Sequence, residues 1–178
     1  MYTSKGEVIL ELNGKLAPLT ASNFLLLVEK GLYQGTIFNR VIRSPYPFIL
    51  QGGYKDLAYH LDSNLKSNDE SYINKVSLGL TQIPLEIKLK GEDKPRYNKI
   101  VSSYEDFNRI ELKHRRGSLA MARTQLLDSA SIQFYLSLKD LPELDGRYAV
   151  FGRVVDGMNV IDSLDEGDLI LKMKVIKN

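Results

Sequence analysis

The apolar positions along the chain follow alternating and helical patterns that predict a mostly β structure. Residues 7–12 are rich in β-forming side chains and place Val8, Leu10 and Leu12 on one face, which predicts a strand. Residues 21–30 carry apolar side chains at helical spacing, with Pro18 near the start, Thr20 as a candidate cap and Gly31 after the end. The same reasoning predicts strands at residues 36–42, 48–51, 83–88, 117–123, 132–138, 148–155 and 169–176, and a second helix at 159–164. A closed barrel with helices over its ends fits these elements, because closure leaves no exposed strand edge.

Length and composition indicate one globular domain. The chain has 178 residues, of which 43% are hydrophobic and 26% charged, which are ordinary values for a folded protein. It contains no repeat and no linker-like tract, so we expect a single domain over residues 1–178. The regular pattern weakens between about residues 55 and 116, and this part is interpreted as a long excursion from the domain.

Residue content excludes several kinds of chemistry. A formal net charge of +2 argues against a nucleic-acid partner bound by bulk charge. The absence of cysteine excludes disulfides, thiolate metal sites and thiol nucleophiles, and the two histidines cannot supply a three-histidine metal site. His60 and His114 are interpreted as solvated loop residues, the latter within a basic run at residues 113–116. No phosphate-binding, dinucleotide-binding or hydrolase motif is found, so we expect neither a metal nor a cofactor.

The same content bears on location. No apolar stretch approaches the roughly 18 residues needed to cross a bilayer. The opening residues also lack a charged and then apolar leader. We therefore expect a cytoplasmic protein that does not associate with membranes. We also expect a monomer.

Three polar residues stand out in apolar strands. Arg40 shares its predicted face with Phe38, where an unpaired cation is costly, and Gln51 and Gln133 also interrupt apolar runs. In one interpretation Arg40 lies on a wet face or pairs with a carboxylate. In the other, a shallow apolar pocket holds one fixed cation and two amides, which together polarise one atom of an uncharged ligand.

Five segments in succession resemble the cyclophilins. They read FNRVI at residues 38–42, FILQGG at 48–53, GSLAMAR at 117–123, SIQFY at 131–135 and YAVFGRV at 148–154. The resemblance covers most of the chain outside residues 55–113. Residues 84–97 are similar to a variant of the family found in cyanobacteria and plastids. The resemblance implies a closed eight-stranded antiparallel β-barrel capped by two α-helices.

The resemblance also implies an activity, peptidyl-prolyl cis–trans isomerisation, which assists protein folding. Rotation about the Xaa-Pro peptide bond has a barrier of about 18–20 kcal/mol, because amide resonance is lost. The reaction requires no cofactor. Proline-containing polypeptides are the implied partners. A proline-peptide scaffold with the same fold and little turnover is the alternative.

By resemblance, Arg40 donates a hydrogen bond to the prolyl nitrogen, and Phe48 and Gln51 complete the catalytic set. The implied substrate-binding residues are Ile49, Met121, Ala122, Arg123, Gln133, Tyr135, Leu144 and Tyr148.

The chain departs from the family pattern at several of these positions. Asn39 replaces a usual His, and the loop between Arg40 and Phe48 is about three residues longer than usual. Tyr135 replaces a Phe at the floor of the pocket, which adds a hydroxyl that must find a partner. Glu143 replaces a frequent Trp or Phe at the rim, so we expect weak binding of cyclosporin-type macrocycles.

Overall fold

The computed structural model describes residues 1–54 and 81–176, and these form a nearly closed antiparallel barrel. Nine strands of the described residues make one sheet, in the order β2-β1-β11-β4-β5-β9-β8-β10-β3, and β6 and β7 pair separately. The strands are β1 (Tyr2–Thr3), β2 (Gly6–Glu7), β3 (Ile9–Leu12), β4 (Thr36–Val41), β5 (Ile49–Tyr54), β6 (Glu86–Ile87), β7 (Arg96–Tyr97), β8 (Ser118–Met121), β9 (Phe134–Ser137), β10 (Val150–Asp156) and β11 (Leu169–Lys172). The helices are α1 (Pro18–Glu29), α2 (Tyr104–Asn108), α3 (Met158–Ser163) and a 3₁₀ turn at Pro142–Leu144.

Closure depends on Val8. Strands β2 and β3 stand at opposite ends of the sheet order but are separated in the chain by Val8 alone. The Val8 side chain is buried, and its backbone N–H donates to the carbonyl oxygen of Met1 at 2.8 Å. The prediction of a mostly β barrel with capping helices is confirmed. The sheet has nine strands because the predicted strand at 7–12 is divided at Val8 and because β1 adds a further short strand.

Aromatic side chains fill the barrel where α1 packs on the sheet. The Phe24 ring of α1 lies 4.9 Å from the Tyr33 ring, 5.4 Å from Phe134 and 5.1 Å from Phe151, measured between centroids. All four side chains are buried. The helical spacing predicted for α1 is thus confirmed, since Phe24, Leu27 and Val28 are buried against this core.

The start of α1 differs from its prediction. Ala17 precedes the helix, and Thr20 lies within the first turn instead of capping it. The helix is instead capped by the carboxylate of Glu86, which belongs to the excursion. This carboxylate accepts hydrogen bonds from the Leu19 N–H at 3.1 Å, the Thr20 N–H at 2.8 Å and the Thr20 hydroxyl at 2.7 Å. A carboxylate at this end also interacts favourably with the helix dipole.

The described part of the excursion, residues 81–116, packs on the barrel. Ile83 forms a β-bridge with Ala130, and Leu89 forms one with Ile110. A second apolar cluster joins this segment to Ala149 beside β10. Residues 55–80, which include His60, lie outside the described residues, and the single-domain assignment stays a prediction.

A bulge in β4 reverses one predicted orientation. Phe38 pairs with Gly52, but Arg40, two residues later, pairs with Gln51, one residue away. The extra residue on β4 turns Arg40 to the opposite face, so Phe38 is fully buried while Arg40 is exposed. The prediction that Phe38 and Arg40 share a face is therefore wrong. Gly52 is required here, because a Cβ atom would lie 2.7 Å from the Phe38 ring.

Within residues 1–54 and 81–176, no helix has the length and apolar character needed to span a membrane.

Candidate active site

Strand register places the candidate residues in a row across the outer face of the sheet. Arg40 on β4 pairs with Gln51 on β5, and Gln51 pairs with Tyr135 on β9. Tyr135 pairs with Ala120 on β8, and Ala120 pairs with Val150 on β10. Residues directly opposite each other have Cβ atoms about 4.5–5.5 Å apart and project to one face. The structure therefore places the cation, an amide and an aromatic ring side by side.

The row is continuous with an apolar surface outside the barrel, which we term the outer apolar surface. Its buried residues are Ile49, Ala120, Tyr135, Leu141 and Val150, and its half-buried ones are Ile42, Phe48, Leu112, Ala122, Leu144 and Tyr148. Phe48 is held at its margin, since the Leu138 N–H donates to the Phe48 carbonyl oxygen at 2.9 Å. Half-buried apolar side chains beside the row leave a hydrophobic surface open to a ligand.

The Arg40 guanidinium lies on the solvent-facing side of β4. Its side chain is exposed, and it forms no hydrogen bond or ion pair with any other described residue. The carboxylate partner considered from the sequence is therefore absent from the described part of the chain. Arg40 lies on a solvated face, as one interpretation had it, but also beside two amides and an apolar surface, as the other required.

The side chains of Gln51 and Gln133 are hydrogen-bonded to each other. The Gln51 amide donates from Nε2 to Oε1 of Gln133 at 2.7 Å, and both side chains are half-buried. An amide group carries two donors, so Nε2 of Gln51 keeps one hydrogen for a ligand. The bond fixes the Gln51 side chain between Arg40 and Tyr135.

The Tyr135 hydroxyl finds its partner beneath the surface. It lies 2.8 Å from Nε2 of His114, whose Nδ1 lies 2.9 Å from Oδ1 of Asp145. Burial raises the pKa of Tyr135 well above its usual value, so the phenol stays neutral. His114 is 1% exposed, and its interpretation as a solvated loop residue is wrong. The signal that locates it is the added hydroxyl of Tyr135, which needs a buried partner.

The basic run around His114 is also partly neutralised. Arg115 pairs with Asp140 at 2.8 Å, and Arg116 pairs with Asp162 at 2.5 Å. Their charges are therefore offset at the surface.

Arg123 and Tyr148 form one wall of the surface. The guanidinium of Arg123 lies 4.7 Å from the Tyr148 ring centroid and donates from Nη2 to the Arg147 carbonyl oxygen at 2.7 Å. The Tyr148 ring in turn meets the Tyr135 ring edge-on, with centroids 5.9 Å apart. The backbone N–H of Ala122 already donates to the Gln133 carbonyl oxygen at 2.9 Å, so that donor is unavailable to a ligand.

Comparison with known proteins identifies the family. The family model for "Cyclophilin type peptidyl-prolyl cis-trans isomerase/CLD" matches residues 1–178. The chain belongs to this family. The resemblance stated from five segments is confirmed, and so is the class of enzyme, a peptidyl-prolyl cis–trans isomerase.

Bacterial relatives of this chain are named peptidyl-prolyl cis–trans isomerases. A peptidyl-prolyl cis–trans isomerase of Acinetobacter baylyi is 31% identical over 169 residues, covering 92% of this chain and 69% of that protein. One of Helicobacter pylori is 32% identical over 170 residues, covering 94% and 80%. A Synechocystis protein with the provisional name thylakoid lumen peptidyl-prolyl cis–trans isomerase is 33% identical over 189 residues. This match covers 99% of the chain but only 46% of the length of that relative.

Solved structures agree on the fold. The cyclophilin AquaCyp293 from Hirschia baltica matches with a TM-score of 0.63 and 26% identity, over 96% of this chain and 70% of that one. A Cryptosporidium parvum cyclophilin, solved in the presence of the dipeptide Ala-Pro, has a TM-score of 0.59 and 23% identity, over 96% and 89%.

One implied residue lies elsewhere in this cyclophilin. Met121 is 1% exposed and belongs to the cluster inside the barrel, whereas Ala120 and Ala122 contact the outer apolar surface. Side chains alternate along β8, so Met121 points inward, and the prediction that it lines the proline pocket is wrong. Leu144 does reach the outer apolar surface, and Glu143 beside it is exposed.

Proposed function

We propose that the chain isomerises Xaa-Pro bonds in accessible, extended protein segments and that Arg40 is its catalytic residue. The carrying observation is the position of the Arg40 guanidinium, exposed and without a partner among the described residues, next to the outer apolar surface. That surface is open, so it suits a segment of chain that is already exposed.

Selectivity for the twisted state follows from the chemistry of the bond. Amide resonance occupies the nitrogen lone pair in both planar isomers, and rotation releases it. A donor at this nitrogen therefore binds the twisted amide more tightly than either planar form, which is the condition for catalysis. A guanidinium suits this role, because its planar fork holds several donors in fixed directions and stays charged.

The outer apolar surface supplies the grip on the proline ring. The half-buried Phe48 and Leu144 would flank the ring, and the buried Ile49 and Tyr135 would form the floor beneath it. Gln51, held by Gln133, would bind the peptide carbonyl while Arg40 acts on the nitrogen. When the proline ring is held while the preceding carbonyl group rotates, the rotation is confined to the peptide bond between them.

Several properties remain predictions. We expect proline-containing polypeptides as partners, a monomer, weak cyclosporin binding, and no nucleic acid or membrane. A cytoplasmic location also remains our proposal.

The decisive experiment measures exchange on a short Ala-Pro peptide by NMR at catalytic concentrations of the protein. We expect accelerated cis–trans exchange without covalent change to the peptide. Saturable binding with no acceleration would instead establish the scaffold alternative.

A further inference from the structure

A buried set of three hydrogen-bonded side chains supports the ring at the centre of the outer apolar surface. We propose that His114 is a positioning residue for proline binding: its bond to the Tyr135 hydroxyl fixes the ring that contacts the substrate. This inference rests on the proposed function, since it concerns the same site. His114 itself reaches neither the substrate nor Arg40 in this assignment; it acts through Tyr135.

With the Asp145 carboxylate ionised and the His114 imidazole neutral, the direction of both hydrogen bonds follows. An ionised Asp145 carboxylate only accepts, so the 2.9 Å contact requires a proton on Nδ1 of His114. A neutral imidazole then accepts at Nε2, and the Tyr135 hydroxyl donates to it across 2.8 Å. The two rings are inclined by only 9°, which is compatible with a hydrogen bond lying close to both ring planes.

Asp145 also binds the backbone of His114. Its Oδ1 accepts from the backbone N–H of His114 at 2.6 Å as well as facing the ring nitrogen. His114, Tyr135 and Asp145 are at most 5% exposed, so bulk water cannot readily replace either partner. His114 is thereby held at three points, two on its imidazole ring and one on its backbone, and serves as a rigid support.

The Tyr135 ring needs this support because of what lies beside it. Its partner on β8 is Ala120, whose single methyl group packs against only a small part of a large ring. Its other aromatic neighbour, Tyr148, contacts it edge-on. Without the bond to His114, the ring could tilt toward Ala120 and alter the surface that receives proline.

Three substitutions separate this role from a merely structural one. His114→Asn keeps an amide donor at the place of Nδ1, facing Asp145, and removes the atom that meets Tyr135. His114→Gln reaches the position of the former Nε2, where its amide oxygen would accept from the Tyr135 hydroxyl and so restore an acceptor. Tyr135→Phe removes the hydroxyl and leaves the ring.

The measurement is KM and kcat on an Ala-Pro peptide for each variant and for the double variant of Tyr135→Phe with His114→Asn. We expect His114→Asn to raise KM about three- to tenfold, the effect of one hydrogen bond of ordinary strength, with a smaller change in kcat. Tyr135→Phe should raise KM similarly, and adding His114→Asn to it should change nothing further. His114→Gln should recover part of the loss.

Equal effects of His114→Asn with and without the Tyr135 hydroxyl would overturn the inference, and so would an unchanged KM in either single variant. Thermal unfolding of each variant shows whether it is folded. Should His114→Asn fail to fold, the ¹⁵N resonances of His114 in the wild type and in Tyr135→Phe decide: a Nε2 resonance unaffected by loss of the hydroxyl contradicts the bond. If the wild type shows no turnover, which contradicts the proposed function alone, peptide dissociation constants from NMR titration replace KM in the same cycle.

Discussion

Replacing Arg40 with alanine would remove the cation from the outer face of β4 while leaving the fold intact. The side chain is exposed and has no hydrogen-bond or ion-pair partner among the described residues. Substitutions at such positions change the free energy of unfolding by less than about 0.5 kcal/mol. Any large effect on turnover would therefore come from chemistry instead of stability.

The magnitude follows from the role assigned to the guanidinium. Loss of one preorganised donor at the site of developing charge costs about 2.7–4 kcal/mol of transition-state stabilisation. Each 1.36 kcal/mol is a factor of about ten in rate, so Arg40→Ala should lower kcat/KM about 100- to 1,000-fold. Arg40→Lys keeps the charge but loses the planar fork, so its activity should fall between those of the wild type and the alanine variant.

The assay is cis–trans exchange of an Ala-Pro peptide, followed by NMR or by coupling to an isomer-specific protease. Arg153→Ala is the matched control, because Arg153 is also an exposed arginine on a barrel strand, paired with Glu11 at 2.6 Å. The control should retain wild-type turnover. Activity of Arg40→Ala within about threefold of the wild type, a difference below 1 kcal/mol, would refute the assignment of Arg40.

Three further outcomes test other parts of the structure. Cyclosporin should bind no better than micromolar, because the exposed Glu143 stands where the family often has an aromatic side chain, and Glu143→Trp should tighten it; nanomolar binding by the wild type in a fluorescence titration would contradict this. Glu86→Gln should lower the free energy of unfolding in urea by about 1–3 kcal/mol, because a buried acceptor of several hydrogen bonds is replaced, and Thr20→Val should cost less; the reverse order would show that the carboxylate does not anchor α1. The backbone N–H of Asp165, followed by Lys5 and Ser4, lowers the pKa of Asp168 in the folded state, so its contribution to stability is complete above the unfolded pKa of about 3.9 and is lost as pH falls through the lower folded pKa. Asp168→Asn should therefore flatten the acid limb of the stability curve, and an unchanged limb would remove Asp168 from its causes.

The pattern of apolar residues located the barrel strands apart from the short β1 and the break at Val8, but it did not give the face of Arg40. Period-two alternation located β4 and its buried Phe38. It also placed Arg40 on the same face, since alternation assumes a regular strand. A single extra residue in the pairing with β5 reverses the face to which every later side chain of β4 points. The sequence of residues 36–42 gives no sign of that bulge.

Contacts distant in sequence account for the other differences. The N-terminus of α1 is held by Glu86, which lies 66 residues after Thr20 in the chain. His114 resembles a loop residue in its local sequence and becomes buried through partners 21 and 31 residues away. Local patterns carry no information about such pairs. The one clue was chemical: a hydroxyl added at an apolar position requires a partner, and Tyr135 has one.

Two of the departures from the family pattern, Tyr135 and Glu143, act on opposite sides of the sheet surface, and this separates turnover from recognition. Tyr135 directs its added hydroxyl inward, where His114 satisfies it, so the polar atom is removed from the surface that meets proline. Glu143 remains exposed at the rim, and among the described residues it forms no ion pair. Since catalysis requires the guanidinium of Arg40 and an apolar grip, the inward change is compatible with turnover. The outward change alters what flanks the proline, and we expect ligand preference, more than the rate on a minimal Ala-Pro peptide, to respond to substitution of Glu143.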